Sequence, residues 1–201
     1  SPLKRKLRHY YHSDDDDARQ FRYGLLAFDA VTVLFIVVTS FLPRTSLIEA
    51  FDAIFGIGIL ADFAIRMWIS RKPLSELVHP ATWADIVAII SFIAPIIGEG
   101  AGFLRVLRTV RLLRTYHLLK QLRRDLPWFR KNEDVILAGV NLFVFIFIMT
   151  ALVYETQHLY NPQIANYIDA LYFTITTLTT TGFGDITLPG TTGRLISVII
   201  M

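Results

Sequence analysis

Residues 103–123 read FLRVLRTVRLLRTYHLLKQLR. Arg105, Arg108, Arg111 and Arg114 recur at every third position between mostly apolar pairs, and His117, Lys120 and Arg123 continue the register. In an α-helix each step of three residues rises about 4.5 Å and turns about 300°, so the charges wind slowly around the axis. In a 3₁₀-helix the same residues share one face. In both cases apolar side chains cover the remaining surface, which suits a membrane interior. Bare guanidinium in lipid costs several kcal/mol or more, so the arginines need carboxylates or water crevices of the protein around them. Such a ladder is a charge that can move. One elementary charge crossing 100 mV is worth about 2.3 kcal/mol, so about three charges in each of four subunits supply tens of kcal/mol. A helix lying on a membrane surface would carry a basic face in place of strict triplets.

Working outward, apolar stretches near membrane-spanning length precede the ladder at residues 25–42, 47–69 and 83–97, and another follows at 135–154. The chain has 201 residues, 53% apolar and 18% charged, with mean hydropathy +0.47. That is too apolar for one soluble domain. Lys and Arg concentrate in residues 1–22, at Arg71 and Lys72, and in residues 120–131, whereas the alternate loops carry only Arg44, Glu99 and Glu155 as charged markers. The asymmetry sets the amino terminus in the cytoplasm of a multi-pass protein of the plasma membrane, the inner membrane if the source is bacterial. Residues 1–22 lack the apolar core of a signal peptide. A pI of about 9.3 then reflects the membrane and its lipid, not nucleic acid. The absence of Cys removes disulfides, Cys-ligated zinc, Fe–S clusters and thiol catalysis. His9, His12, His79 and His158 are dispersed, and the acidic run 14–17 reads as a solvated cap. No catalytic constellation, cofactor or resident metal site is expected.

Countercharges fall where the ladder needs them. The second stretch runs from outside to inside, with Asp52 in its outer part and Asp62 ten residues deeper, about 15 Å along a helix. Asp85 lies near the inner start of the third stretch. Asp62 and Asp85 should share a depth, with Arg66 the i,i+4 partner of Asp62. Ile59, one turn outward of Asp62, is positioned as an apolar septum between outer and inner water. Asp29, in the first stretch, has no evident place in this scheme.

Residues 168–178 are too short to span and run into TTTGFGD at 179–185, a re-entrant pattern. Gly182 and Gly184 permit the positive φ that turns successive carbonyls inward. Four copies would stack rings of oxygen from the carbonyls of Thr180, Thr181, Gly182 and Phe183 and from the Thr180 hydroxyl. One subunit cannot encircle an ion, so a homotetramer is implied. The preceding helix aims its negative C-terminal end at the cavity and favours a cation, which Asp185 outside would attract. Asp169 reads as a cap of that helix.

These residues resemble six-segment voltage-gated potassium channels, an all-α membrane fold in which a four-helix voltage sensor precedes a pore domain with a re-entrant helix and filter loop. The family's plug, acid and base of the second segment read here as Ile59, Asp62 and Arg66, with Ile59 replacing the usual Phe, and its outer acid matches Asp52. The third-segment acid matches Asp85 in the string DIVAII at residues 85–90. The resemblance makes Arg105, Arg108, Arg111, Arg114, His117 and Lys120 gating charges. TTTGFGD resembles the potassium filter TVGYG, with Thr181 for Val and Phe183 for Tyr, so K⁺ would bind at Thr180, Thr181, Gly182 and Phe183, with Gly184 and Asp185 completing the filter. Tyr172 and Phe173 fall at the family's double-Trp positions, and Glu155 matches the carboxylate that braces the filter surround. The implied divisions are a cytosolic amphipathic segment 1–22, a voltage sensor 23–119, a linker 120–131 and a pore domain 132–201. The linker reads equally as a lever or a membrane-surface helix, with Pro127 a break. Residues 193–201 supply only the start of a sixth segment, so truncation of that segment is expected. The compact loops resemble the prokaryotic kind. A cyclic-nucleotide-gated relative with a regulatory domain after residue 201 and a sensor module governing another activity are the alternatives. Neutralising Arg108 or Arg111 should lower the steepness of voltage dependence and leave ion selectivity unchanged, as read from current–voltage curves of the variants.

Overall fold

The computed structural model describes residues 2–12, 15–43, 45–70, 78, 80–97, 106 and 109–201. Among these no strand occurs. The elements are α1 (Pro2–His12), α2 (Asp16–Ser40), α3 (Ser46–Ile69), α4 (Pro80–Ile97), a 3₁₀ turn (Arg111–Arg114), α5 (Thr115–Asp125), α6 (Pro127–Lys131), α7 (Glu133–Gln157), α8 (Tyr167–Leu178) and α9 (Gly190–Ile200). At 25 residues each, α2 and α7 are long and apolar enough to cross a bilayer; that length is about 37 Å.

Local chemistry explains the boundaries. The first turn of α2 carries Asp16 and Asp17, whose charge complements the positive end of the helix, so the helix starts well before its apolar run. Thr45 caps α3 by accepting from the Ile48 N–H. At the head of α8 a capping box closes: Asn166 accepts from the Asp169 N–H at 3.0 Å, and Asp169 accepts from the Asn166 N–H at 3.1 Å. Between α5 and α6 Leu126 is extended, and Pro127 occupies the first turn of α6, where its missing N–H costs nothing. The ladder changes pitch along its length. Residues 111–114 form the 3₁₀ turn and residues 115–125 an α-helix, so Arg111 and Arg114 eclipse each other on one face.

The buried stripe of α2 is Asp29, Thr32, Ile36 and Thr39, spaced by three and four residues. Its outer face carries Val31, Leu34 and Val38. Polar residues inside and apolar residues outside invert the pattern of a soluble helix. The Thr32 and Thr39 hydroxyls donate to the carbonyls of Phe28 and Phe35, at 2.8 and 2.6 Å, so neither is left without a partner. In α3 the inward residues are Gly56, Ile59, Asp62 and Ile69. A Cβ on Gly58 would stand 2.6 Å from the Phe28 ring, which shows how closely α2 approaches α3.

Two packing units result. In the first, α4 packs on α3 and on the 3₁₀ turn, α2 packs on that turn and on α5, and α1 packs on α2 and α3. In the second, α7, α8 and α9 enclose Met149, Val153, Ala170, Phe173, Leu188, Ile196 and Ile200. A further apolar cluster joins them: Ile36 and Leu112 from the first unit meet Val144, Phe147, Ala151 and Tyr167 from the second. Phe41 adds edge contacts to Phe147 and Tyr167.

At Gly193, in the first turn of α9, an added Cβ would lie 2.7 Å from Leu188 Cβ and 2.8 Å from its carbonyl oxygen. Backbone cannot yield as a flexible side chain can, so Gly193→Ala should destabilise the protein by about 1–3 kcal/mol. Thermal unfolding in detergent should show a lowered midpoint, while Gly24→Ala, which meets open space, should stay near the parent.

Candidate functional site

The first unit gathers its charges around Arg111 and Arg114, which are 3% and 1% exposed. Arg111 donates to Asp52 Oδ1 at 2.6 Å and, from α4, to the Ser91 hydroxyl and the Ser91 carbonyl. Arg114 sits one 3₁₀ step further along. It donates to Asp29 Oδ1 at 2.7 Å and Asp85 Oδ1 at 2.8 Å, and its Nη2 lies 3.6 Å from Asp62 Oδ2. Arg66 donates to Asp62 Oδ2 at 3.0 Å and also pairs with Asp85. Three helices therefore supply carboxylates to one buried guanidinium: Asp29 from α2, Asp62 from α3 and Asp85 from α4. The Phe28 ring centre stands 5.9 Å from the Arg114 guanidinium carbon, within cation–π range.

Ile59 is fully buried. Along α3 it lies seven residues past Asp52 and three before Asp62, about 10 Å and 5 Å of helix respectively. Its level therefore falls between the partner of Arg111 and the cluster around Arg114. The burial of these ions is sustained by pairing, since an uncompensated charge would carry a penalty of several kcal/mol.

Below the cluster, on the α1 side, the Tyr11 hydroxyl donates to Asp62 Oδ1 at 2.8 Å. Burial and the neighbouring Asp62 carboxylate hold the Tyr11 phenol above its ordinary value, so it remains a donor. A cavity of about 90 Å³ adjoins it, lined by Tyr11, Arg22, Asp62, Arg66, Gln121 and Arg124 among others.

The second unit holds TTTGFGD at the C-terminal end of α8. Thr180, Gly182 and Gly184 have φ of 57°, 48° and 78°, and neither Thr181 nor Phe183 has positive φ. Alternating the hand of φ turns successive peptide planes so that consecutive carbonyls face one side, where an extended strand would alternate them. Glycine takes this conformation at little cost; Thr180 is strained there. The loop is tied to its helix by the Gly182 N–H, which donates to the Thr176 carbonyl at 3.1 Å. The Thr179 and Thr181 hydroxyls bond at 2.9 Å, and the Thr180 hydroxyl donates to the Thr179 carbonyl at 2.7 Å. Phe183 stacks parallel to Tyr172, with centroids 6.4 Å apart. Past Asp185 the chain is braced by Gln163, which donates to the Asp185 carbonyl at 2.6 Å, and by Asn161, which donates to the Thr187 carbonyl at 2.8 Å.

The structure thus brings together Asp52, Ile59, Asp62, Arg66, Asp85, Arg111 and Arg114, seven of the residues singled out in the sequence. Arg105 and Arg108 lie outside the described residues, as does the His117 side chain, and Lys120 is exposed on α5. Phe173 is buried in the second core, and Glu155 is half buried near the end of α7. Sequence reasoning missed several participants, Asn161 among them. Asp29 carried a signal, a lone acid in an apolar run, but no partner could be named for it. Ser91, Tyr11 and Gln163 are ordinary in sequence.

This geometry sets a buried network of ion pairs in one unit beside a loop of alternating backbone hand in the other. Residues 20–201 match the ion transport protein family, and the chain belongs to it. It is similar to the hyperpolarization-activated voltage-gated potassium channel of Methanocaldococcus jannaschii, with 35% identity over 94 residues. That alignment covers 46% of this chain and 43% of the relative.

Removing one carboxylate from a buried guanidinium leaves charge uncompensated, at a typical cost of about 3–5 kcal/mol. Neutralising Asp52 takes from Arg111 the carboxylate at 2.6 Å, whereas neutralising Asp29 leaves Arg114 with Asp85 at 2.8 Å and Asp62 at 3.6 Å. Asp52→Asn should therefore lower the thermal midpoint in detergent more than Asp29→Asn does. Equal shifts would contradict the pairing described.

Proposed function

We propose that the chain is one subunit of a homotetrameric voltage-gated potassium channel in the plasma membrane, with its amino terminus cytoplasmic. Residues 23–119 act as the voltage sensor, residues 120–131 as the linker and residues 132–201 as the pore. The observation that carries this reading is the stepwise pairing of the ladder, Arg111 with Asp52 and Arg114 with Asp29, Asp62 and Asp85, across the level of Ile59.

A shift of the ladder by one triplet exchanges one guanidinium for the next among the same carboxylates. Each intermediate position keeps its charge paired, so the energy of the moving helix stays nearly level while charge crosses Ile59. A potential then decides where the ladder rests, at about 2.3 kcal/mol per charge per 100 mV. Movement reaches the second unit along short contacts. Tyr116 donates to Asn141 at 2.5 Å, Arg123 pairs with Glu133 at 3.1 Å, and Leu112 packs in the cluster containing Phe147.

Conduction follows from the alternating loop. Four copies around an axis bring the carbonyls of Thr180, Thr181, Gly182 and Phe183 into stacked rings that replace the hydration shell of K⁺. The C-terminal end of α8 adds a partial negative charge toward the same axis. In a single chain the loop is exposed from Thr179 to Asp185, which supports the need for neighbouring copies. Similarity to the archaeal potassium channel supports the choice of K⁺.

The test is current through the intact polypeptide in a planar bilayer, under a potassium gradient with sodium substitution and voltage steps of both signs. Reversal near the potassium equilibrium potential with voltage-dependent opening is expected. Gly182→Val should abolish this current while charge displacement persists. Reversal indifferent to potassium would sink the filter assignment, and potassium current indifferent to voltage would sink the sensor.

A further inference from the structure

The ladder explains one oxygen of Asp62 and leaves the other to be accounted for. Asp62 Oδ2 faces Arg66 at 3.0 Å and Arg114 at 3.6 Å, while Oδ1 is held by the Tyr11 hydroxyl from a helix 51 residues away in sequence. Tyr11 is not on the ladder, the countercharge helices or the pore. It reaches Asp62 because α1 docks across α2 and α3, with Tyr10 and Tyr11 packed on Phe21 at 5.6 and 5.4 Å between ring centres. The basic face of α1, with Arg5 and Lys6 exposed, leaves these aromatics to do the docking.

We propose that Tyr11 is a latch on the voltage sensor: by bonding Asp62 from the cytoplasmic side, it holds the ladder in the position where Arg114 sits among Asp29, Asp62 and Asp85. The inference rests on the sensor reading above. The space beneath the cluster is the cavity of about 90 Å³ whose lining includes Tyr11, Arg22, Asp62, Arg66, Arg124 and Asp125. A ladder step toward the cytoplasm brings Arg111 to the carboxylates and drives Arg114 into that cavity, where Tyr11 is part of the wall. The phenol holds Asp62 Oδ1 where both groups line that cavity, so an Arg114 that enters the cavity with Asp62 still its partner takes that oxygen from Tyr11, and the Tyr11 bond is given up as the step occurs. The latch is local and neutral. It changes where the equilibrium lies without adding or removing sensing charge.

Tyr11→Phe keeps the ring on Phe21 and deletes only the donor. A hydrogen bond to a charged group is lost from one of the two positions, so the equilibrium for the inward step should move roughly tenfold toward the inward position. In the intact channel in a voltage-clamped bilayer, the charge–voltage curve of Tyr11→Phe should shift to less negative potentials. Total charge and reversal potential should be unchanged. A double-mutant cycle isolates the contact, because in an Asp62→Asn background the same substitution should have little further effect. An unshifted curve, a shift to more negative potentials, or a shift of full size in the Asp62→Asn background would each overturn the latch. Arg114→Gln separates the two levels of the argument. Reduced steepness in Arg114→Gln with no effect of Tyr11→Phe rejects the latch alone, whereas unchanged steepness in Arg114→Gln rejects the sensor reading on which it stands.

Discussion

A guanidinium cannot be stripped of water inside a membrane protein unless carboxylates and hydrogen-bond acceptors replace that water. Arg114, 1% exposed, sets this demand. Its planar group offers donors in a fixed fork, and Asp29 and Asp85 meet that fork from different helices while Asp62 closes the third side. The spacing of α2, α3 and α4 follows from that requirement. So does the inverted pattern of α2, whose inward stripe is polar and whose outward face is apolar. Arg66 shares Asp62 Oδ2 with Arg114 and takes the remaining oxygen of Asp85, so the cluster is a network of shared partners and not a set of separate pairs.

The second unit solves a different problem with backbone alone. Carbonyls that face one side cannot satisfy one another, and the loop accepts left-handed residues at alternate positions to present them so. The strain at Thr180 is held by local bonds: Thr179 and Thr181 join hydroxyls, and the Gly182 N–H returns to the Thr176 carbonyl of α8. A capped, rigid α8 gives this loop a fixed platform. The Gln163 and Asn161 side chains do the same from its far end.

Much of this was legible in the sequence because charge in an apolar run has few explanations. The triplet ladder, the acids at Asp52, Asp62 and Asp85, and the Gly182 and Gly184 pattern each state a physical need that the residue type can meet. What was illegible depends on three-dimensional approach. Ser91 serves Arg111 through a hydroxyl and a carbonyl that any Ser has. Asp29 was visible as an anomaly, but its partner lies 85 residues away. Pitch was undecided between α and 3₁₀, since both tolerate the same residues, and the 3₁₀ turn at residues 111–114 reflects the need of Arg111 and Arg114 to face the acids together. Tyr11 could not be read at all, because its role requires a short basic helix to fold back across two others.

The cluster formed by Leu112 with Ile36, Val144, Phe147 and Ala151 carries a mechanical consequence. Arginines repeat every three residues, but the residues between them do not. A shift of one triplet replaces Leu112 in that cluster by Thr109 or Thr115, each with less apolar surface and a hydroxyl to satisfy. In the proposed sensor movement the successive positions of the ladder are therefore nearly equal for its charges and unequal for its fit against α7. The surface would then act as a detent: one notch is deeper than its neighbours, and the depth is set by a leucine that carries no charge.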